Sequence, residues 1–548
     1  MSREIRFKLK PVERGEGAGS RFDWEDFESS GRTFIESDEF PIELVNRVSR
    51  KEKGGGGRPP FWEMVFWWTR KPLAGARAVI AGALLPEGLE KGSFVSWLRL
   101  NEGGSPHRFN PSLPKAIRER FSKVRLLDPF AGFGSIPLEA IRLGVGEVVA
   151  VEFLPTAYIF LKAVLEYPKR YGERLVDDVK RWGEWIVEEL RRDPDIRELY
   201  DADTAVYIGT WEVRCPICRR YTPLVGNWWL ARVKNKRYAY MMPRVEGDGV
   251  SVDIVEGKTE GVPSPNVRGR PELAECLLCG SRITYIDPET GRVYRSKGEA
   301  SDRAVQGRLE FYPKYSIREW NRRLEEYLAG RITLEELRSS PARPRLLVKV
   351  KVVEKDLKFE ACNEEDNEKI WETLERLKQI WGDPDIPTEL TEPYCSSTYH
   401  TIVWGFDKFY KLFNPRQLLT LTKLVKLIRE AGKKIEEEKI KEGWSKEEAF
   451  NYTEAITTYL AITLCKLVNY NSITTRWDST WWKIGETLST RGIAMNWNWC
   501  DIDPVSNFIG SWNKSLNSLI NGLSYLVSAV SGSSSRVRVL LDDATMLS

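Results

Sequence analysis

The sequence predicts an α/β protein that carries a small cysteine-rich insertion and a large α-helical region. Three observations support this fold class. Two short apolar runs, 124–127 and 148–151, are each followed by an acidic residue, and between them lie a glycine-containing turn and a helix-like stretch. Two C-x-x-C pairs lie further along the chain. Helical periodicity then dominates residues 364–381, 414–441, 446–469 and 505–528.

Composition limits the possible classes of protein. The chain has 548 residues, of which 42% are apolar and 30% charged, as in ordinary soluble proteins. A length of about 150 residues per domain suggests three or four domains. The net charge of +4 excludes a strong overall basic field, so any nucleic-acid surface must be local. No apolar run reaches the roughly 18 residues of a membrane span, and the charged N-terminus lacks the apolar region of a signal peptide. We therefore expect a cytoplasmic protein without a membrane partner.

The first apolar run opens a predicted βαβ unit. Gly132 and Gly134 allow a sharp turn and a close approach of a ligand, and the following helix presents unpaired N–H groups. Glu152 ends the second run, where it can accept the hydroxyls of a ribose. The turn lacks the G-x-G-x-x-G spacing, so a dinucleotide is the less favoured ligand. These residues predict a nucleotide-like ligand at the carboxyl edge of the sheet.

The same turn resembles a known cofactor motif. Its sequence, Asp128-Pro129-Phe130-Ala131-Gly132-Phe133-Gly134, is similar to the Asp-Pro-Phe-x-Gly-x-Gly signature of S-adenosylmethionine-dependent amino-methyltransferases. The resemblance implies a Rossmann-like sheet and S-adenosyl-L-methionine as cofactor. It also implies that Asp128, Pro129, Phe130, Gly132 and Gly134 form the cofactor loop and that Glu152 holds the ribose. The competing interpretation is a turn that only connects a strand to a helix.

A second segment resembles another part of that family. Thr69-Arg70-Lys71-Pro72-Leu73 is similar to the element before the cofactor loop, which implies that Thr69 and Lys71 contact the methionine carboxylate of the cofactor. A cation and a helix N-terminus suit that contact. Pro72 fits the first turn of the helix that follows. The alternative is an aromatic core segment with solvated Arg70 and Lys71.

The cysteines predict a metal site. Two knuckles of the C-x-x-C type supply four thiolates, which form a tetrahedral zinc site of the zinc-ribbon type: Cys215, Cys218, Cys276 and Cys279. Because all four ligands come from the protein, no position is open and the zinc is expected to be structural. We expect the remaining cysteines to be inert and buried: Cys362, Cys395, Cys465 and Cys500.

Two stretches rich in aromatic and basic residues each have two possible roles. The insertion carries Trp228, Trp229, Arg232, Lys234, Lys236 and Arg237. These side chains either contact a phosphate backbone, which we favour, or merely solvate and pack a small insertion. A later stretch contains Trp477, Trp481, Trp482 and residues 495–504. It either lines a groove for a base or DNA, or forms a corner of the core.

The last strand-like segment covers residues 536–541 and ends in acids. It resembles the third strand of the methyltransferase sheet, which implies that Asp543 accepts from the amino group of the cofactor's adenine. A simple surface turn is the alternative. The sequence also predicts five domains: an N-terminal arm with a mobile loop (1–60), the first half of the core (61–195), the zinc-ribbon insertion (205–300), a mainly helical domain (310–530) and the third core strand (535–548).

Taken together, the motifs resemble the prokaryotic adenine-specific DNA methylases that contain a zinc-ribbon module. Further matching segments are Phe40-Pro41, Ser49-Arg50-Lys51-Glu52-Lys53, Phe413-Asn414-Pro415-Arg416-Gln417 and Asp542-Asp543-Ala544-Thr545. The resemblance implies methyl transfer to adenine N6 in DNA, with RNA less favoured. It also implies an α/β fold in which a partial Rossmann-like methyltransferase sheet, lacking its C-terminal strands, is joined by an inserted zinc ribbon and a large α-helical domain.

The family's catalytic motif is missing. Amino-methyltransferases use Asp, Asn or Ser before Pro-Pro and an aromatic residue, so that the amine hydrogens are accepted and the flipped base is stacked. Arg58-Pro59-Pro60-Phe61 offers only donors at its first position, and Glu392-Pro393-Tyr394 lacks the second proline. No catalytic residue is therefore assigned. We expect a split or truncated enzyme whose partner chain carries the motif. The alternatives are a tRNA guanine-N2 methyltransferase and a non-catalytic nucleic-acid-binding scaffold.

Overall fold

The computed structural model describes residues 9, 31–101, 105–354, 356–392, 399–489 and 492–547. Residues 1–8 and 10–30 of the predicted N-terminal arm, the Pro393-Tyr394 dipeptide and Cys395 lie outside these residues.

Helices and strands are interspersed, so the protein is mixed α/β. The α-helices are α1 (Ile42–Lys53), α2 (Leu73–Leu84), α3 (Lys91–Leu98), α4 (Lys115–Phe121), α5 (Ser135–Leu143), α6 (Pro155–Leu161), α7 (Tyr167–Arg192), α8 (Pro194–Leu199), α9 (Arg303–Arg308), α10 (Tyr312–Leu328), α11 (Leu334–Arg338), α12 (Glu364–Gln379), α13 (Tyr399–Ile402), α14 (Pro415–Lys441), α15 (Lys446–Tyr470) and α16 (Trp512–Val530). A π-helical turn, Lys162–Glu166, joins α6 to α7. Among the described helices, none is both long enough and apolar enough to cross a bilayer.

The strands form several separate sheets. They are β1 (Arg125–Asp128), β2 (Glu147–Glu152), β3 (Thr204–Arg214), β4 (Tyr221–Leu224), β5 (Trp229–Val233), β6 (Arg237–Glu246), β7 (Gly249–Glu256), β8 (Val267–Gly269), β9 (Glu272–Ala274), β10 (Tyr285–Ile286), β11 (Val293–Tyr294), β12 (Glu310–Phe311), β13 (Ala342–Val353), β14 (Asp356–Ala361), β15 (Arg476–Asp478), β16 (Lys483–Gly485), β17 (Trp499–Ile502) and β18 (Arg536–Leu541).

The chain divides into two compact units. Unit 1 contains residues 1–184, 430–463 and 516–548, and unit 2 contains residues 185–429 and 464–515. The division falls inside α7, α14, α15 and α16, so each of these helices contributes residues to both units.

Unit 1 contains a three-stranded parallel sheet with the order β1, β2, β18. Asp128 in β1 lies opposite Ala150 in β2, which in turn lies opposite Val539 in β18. The helix α5 connects β1 to β2, as the βαβ pattern predicts. The strand predicted at residues 536–541 is present and runs parallel to β2.

Unit 2 is organised around β3. This strand lies at the centre of a five-stranded sheet with the order β14, β13, β3, β17, and β4 pairs with the end of β3. Almost all of its residues are buried. The sheet joins strands from the predicted insertion, β3 and β4, to strands from the predicted helical region. Trp499 in β17 and Trp477 in β15 are buried, so much of the later aromatic stretch belongs to the core.

The helix predictions hold for α12, α14 and α15 within two residues at each end. The predicted start of the last helix, at Val505, is wrong, because α16 begins at Trp512. Asp503 explains the difference. Its side chain accepts the N–H of Val505, and its carbonyl accepts the N–H of Ser506. This local turn competes with helix formation.

Candidate functional site

The glycine turn lies in unit 1 between β1 and α5. Gly132 has φ +55° and Gly134 has φ +81°, both in the left-handed region that favours glycine. The two positions differ in their surroundings. A Cβ at Gly134 would lie 3.1 Å from the Cδ2 of Leu161, whereas a Cβ at Gly132 would meet nothing within 4 Å. Gly134 therefore permits close packing against α6, and Gly132 leaves open space above the turn.

Glu152 closes this turn from the end of β2. Its Oε1 accepts the N–H of Gly132 at 2.8 Å and its Oε2 accepts the N–H of Phe153 at 3.2 Å. Asp128 ends the neighbouring strand β1, so both carboxylates lie at the carboxyl edge of adjacent parallel strands. The structure thus brings together Asp128, Gly132 and Glu152, as the sequence predicts.

Asp128 is buried, and only one of its two carboxylate oxygens accepts a hydrogen bond from a described residue. Its Oδ1 accepts the N–H of Phe130 at 3.2 Å, while its Oδ2 is enclosed and has no hydrogen-bond partner among the described residues. Burial and the nearby charge of Glu152 raise the pKa of Asp128. The Oγ of Ser135, at the start of α5, is also enclosed without a partner there. Buried polar atoms normally have partners, so an acceptor at Asp128 and a hydroxyl at Ser135 are two polar atoms of the turn that the described residues do not satisfy.

Pro129, Phe130 and Asp543 surround the same edge with different exposure. Phe130 is 79% exposed, and Pro129 is half-buried beside it. Asp543 lies just beyond β18, where its Oδ1 accepts hydrogen bonds from the N–H and from the hydroxyl of Thr545. The N–H of Asp542 donates to the carbonyl of Glu152 at 3.1 Å, which ties this turn to the end of β2.

Thr69 and Lys71 are exposed on a segment linked to the glycine turn through its aromatic residue. The guanidinium of Arg70 lies 5.7 Å from the ring centre of Phe133, and Trp67 stacks on the same ring at 5.9 Å. The predicted position of Pro72 is wrong, since it precedes α2 as the N-cap and the helix begins at Leu73. The missing N–H of proline makes it compatible with either position.

The N-terminus of α2 already holds a carboxylate, which the sequence did not indicate. The N–H of Ala74 lies 3.3 Å from the Oε1 and 3.2 Å from the Oε2 of Glu52. Glu52 is almost fully buried on α1, and burial raises its pKa to about 7. A helix N-terminus attracts negative charge, so Glu52 occupies the feature that we expected to receive the cofactor's carboxylate.

Aromatic rings pack behind the turn. Phe61 stacks on Phe133 at 5.6 Å and on Tyr525 at 5.8 Å, with its side chain fully buried. The ring of Phe61 is therefore unavailable to stack on a base.

A buried charge network lies between α2 and α5. Glu139 accepts from Arg77 at 2.6 Å and from Arg142 at 2.5 Å. Arg142 and Tyr525 also donate to the carbonyl of His107. Burial and the charge of Arg142 lower the pKa of His107 to about 3, so this imidazole is neutral. Each buried cation has an acceptor, as stability requires of charges removed from water.

The four cysteines of the two knuckles meet in unit 2. Their Sγ atoms all lie within 4.8 Å of one another, and the pairs Cys215–Cys279 and Cys218–Cys276 are 3.8 Å apart. A tetrahedral zinc with bonds of about 2.3 Å places its sulfur atoms about 3.8 Å apart. The cluster therefore has the dimensions of a four-thiolate metal site.

The knuckles share one backbone design. The N–H of Arg219 donates to the carbonyl of Cys215, and the N–H of Gly280 donates to the carbonyl of Cys276. Both donors have positive φ, +66° and +67°. Of the other cysteines, Cys500 is buried and Cys362 half-buried, but Cys465 is exposed, so its predicted burial is wrong. It lies on α15, where one face of the helix is open to solvent.

One comparison with known proteins gives a match. A family model described as a protein of unknown function, DUF1156, matches residues 39–96. These residues include α1, α2 and most of α3, and therefore Glu52 and the segment from Thr69 to Leu73, but not the glycine turn. No curated protein and no solved structure matches the chain.

Proposed function

We propose that this chain is the S-adenosylmethionine-binding and DNA-recognition portion of an adenine-N6 DNA methyltransferase. In this proposal, unit 1 holds a partial Rossmann-like sheet, and a second polypeptide supplies the Asp-Pro-Pro-Tyr motif. The observation that carries the proposal is the position of Asp128 and Glu152, which end adjacent parallel strands beside the turn of Gly132 and Gly134.

The residues around the turn fit the cofactor. Asp128 Oδ2 is an enclosed acceptor without a donor among the described residues, and the space at Gly132 is open. When bound, S-adenosyl-L-methionine supplies an electrophilic methyl group. Glu152 would accept the ribose hydroxyls on the lone pairs that the N–H groups of Gly132 and Phe153 leave free. Asp128 would accept an N–H of the ligand once the turn exposes its Oδ2. Asp543 keeps one carboxylate oxygen that Thr545 does not engage, and it accepts from the adenine amino group.

The sheet edges support a second polypeptide. At the β18 edge, the N–H of Val539 donates to Glu166 at 2.9 Å, so a carboxylate from the π-helical turn occupies a donor that an added strand would need. At the other edge, β1 pairs with no further strand in the described residues. An open strand edge invites pairing with another chain. We therefore place the added strand beside β1.

No described residue covers Leu127 fully on one face of the same sheet. Arg125 and Leu127 in β1 are exposed, and Arg536 and Arg538 occupy the corresponding positions in β18 and are exposed too. Parallel sheets are normally buried on both faces. Leu127, which is 55% exposed, is the apolar centre of this face. Helices that follow the added strand would cover it.

The metal of the four-cysteine cluster is part of the proposal. Four protein thiolates at tetrahedral spacing suit zinc, and they leave no position for a substrate or water. We assign the zinc a structural role in unit 2.

Calorimetry with S-adenosyl-L-methionine tests the cofactor site. The wild-type chain should bind with measurable heat, and Glu152→Ala should remove it. Glu147→Ala is the matched control, because Glu147 lies at the opposite end of β2 and pairs with Arg125. Binding by the control but not by Glu152→Ala supports the site. Absence of heat with the wild type would leave the scaffold interpretation standing.

Transfer of a labelled methyl group tests the split-enzyme proposal. The purified chain, incubated with duplex DNA or tRNA, should transfer no label to either substrate, because the catalytic motif is supplied by another chain. Transfer to duplex DNA without a partner would contradict the split arrangement. Transfer to guanine in tRNA would favour the alternative enzyme class.

A further inference from the structure

We infer that two hairpin tips in unit 2, residues 232–236 and 479–483, form one surface that binds an unpaired segment of DNA, with Trp481 stacking on a base. We call these residues the hairpin surface. The inference rests on the proposed function and deepens it, because it locates a nucleic-acid contact that the cofactor site does not contain.

The two hairpins are far apart in sequence but meet in the fold. Strands β5 and β6 form the first hairpin, and β15 and β16 form the second. The N–H of Arg232 donates to the carbonyl of Ser479 at 2.8 Å. Behind this contact, the indole N–H of Trp477 donates to the carbonyl of Leu230 at 2.7 Å. These bonds hold the two tips side by side.

Trp481 is held in an exposed position. Its side chain is 74% exposed, which is unusual for the largest apolar residue. Asp478 fixes the turn that carries it, because its Oδ1 accepts the N–H groups of Thr480 and Trp481 and the hydroxyl of Thr480. The ring is therefore presented on an ordered turn, which reduces the entropy lost when a base stacks on it.

The hairpin surface is positively charged. It carries four exposed cations, and in the described part of the chain none of them forms an ion pair: Arg232, Lys234, Lys236 and Lys483. Asp478 is the carboxylate within the second hairpin. The nearby acids Glu256 and Asp356 are held by Arg237, at 3.0 and 2.7 Å. With Arg237 included, five cations face three carboxylates here, so the local charge is positive.

This combination favours single-stranded nucleic acid. Unpaired strands bind proteins through phosphate contacts with cations and through stacking of bases on aromatic side chains. An acidic protein, as an alternative partner, would contact the cations, but its binding would not require an exposed indole ring. A duplex hides the faces of its bases. Among single strands we choose DNA, because it is the substrate of the proposed function.

Fluorescence anisotropy with the zinc-loaded full chain tests the inference. The probe is a labelled 15-nucleotide oligo(dT), and the competitors are a duplex of equal length, oligo(U) and polyglutamate. Trp481→Ala should weaken binding about 5- to 150-fold, which corresponds to loss of one stacked base. Trp481→Phe should restore most of the affinity, because it keeps an aromatic face.

The charged residues have a separate readout. Lys234→Glu combined with Lys236→Glu should lower the slope of log K against log salt by about 1.4, since each phosphate contact on a single strand contributes about 0.7. Two variants in unit 1 are matched controls and should bind as the wild type does. Phe450→Ala removes an aromatic ring that is 57% exposed, and Lys433→Glu reverses an exposed charge.

The outcomes separate this inference from the proposed function. Equal binding by wild type and Trp481→Ala, or tighter binding of duplex, oligo(U) or polyglutamate than of oligo(dT), would overturn the hairpin surface. The chain could bind oligo(dT) in a way that depends on Trp481 and yet give no heat with S-adenosyl-L-methionine. That result would overturn only the proposed function. Circular dichroism and zinc content confirm that each variant is folded.

Discussion

Replacing Glu52 with glutamine should change how the stability of unit 1 depends on pH. Glu52 lies on α1 with its carboxylate at the N-terminus of α2, and only 1% of the residue is exposed. Glutamine keeps an oxygen that can accept the N–H of Ala74, but it does not ionise. The substitution therefore removes the buried charge and preserves the contact.

The size of the effect follows from the pKa of this carboxyl group. Its usual value is 4.5, and burial raises it to about 7 in the fold. Between these two pH values the folded chain holds a proton that the unfolded chain has released, so stability falls as pH rises. At about 1.4 kcal/mol for each pH unit, the loss amounts to about 3 kcal/mol above pH 7. About 2 kcal/mol of this loss falls between pH 5.5 and pH 8.

Urea unfolding at pH 5.5 and pH 8 measures the difference. The free energy of unfolding of Glu52→Gln, relative to that of the wild type, should increase by about 2 kcal/mol between these two values. The matched control is Glu43→Gln, because Glu43 is exposed on the same helix and should show no such increase. Burial also raises the pKa of Asp503 to about 7, but this contribution is common to all three proteins and cancels. Parallel pH profiles for wild type and Glu52→Gln would refute the reasoning.

Three further predictions concern unit 2. Elemental analysis should find one zinc per chain, and Cys276→Ser or a strong chelator should lower the thermal midpoint; a metal-free chain of unchanged stability would contradict the assignment. Asp501→Asn should cost about 3–5 kcal/mol in denaturant unfolding, because Arg416 donates to Asp501 at 2.9 Å in a site where both are fully buried. Gly209→Ala should destabilise the central sheet by at least about 2 kcal/mol, since the new Cβ would lie 2.2 Å from the ring of Trp499; unchanged stability would mean that the ring can move.

The local features of the fold were predictable from sequence. The βαβ unit is encoded by two apolar runs and by glycines at the positions with positive φ, Gly132 and Gly134. The cysteine knuckles are equally local, because each pair lies within one tight turn. Long helices such as α14 are also predictable, because the helical spacing of their apolar residues is visible within one continuous stretch of sequence.

The features that depend on distant parts of the chain were not predictable. Strand β3 is buried on both faces, so it lacks the alternation that marks a half-exposed strand. It pairs with β13 and β17, which lie more than a hundred residues further along the chain. The contact between Glu52 and Ala74 is missed for the same reason, since nothing near Glu52 in sequence indicates that the residue is buried.

The candidate site shows the same division. The turn and Glu152 are correctly brought together because they belong to one βαβ unit. The hairpin surface required the fold, since residues 232–236 and 479–483 belong to two separate sheets. They are joined by the bond from Arg232 to Ser479 and by the bond from Trp477 to Leu230. Trp477 and Trp481 are close in sequence, yet one is buried and the other exposed.

The two bonds of Glu152 have a consequence for how its replacement is interpreted. One side chain fastens the middle of the glycine turn, through the N–H of Gly132, and the end of β2, through the N–H of Phe153. Removing this carboxylate therefore leaves two backbone donors without their acceptor, and the turn loses a support as well as a charge. A conservative change to glutamine, which keeps an oxygen that accepts an N–H, separates these two effects.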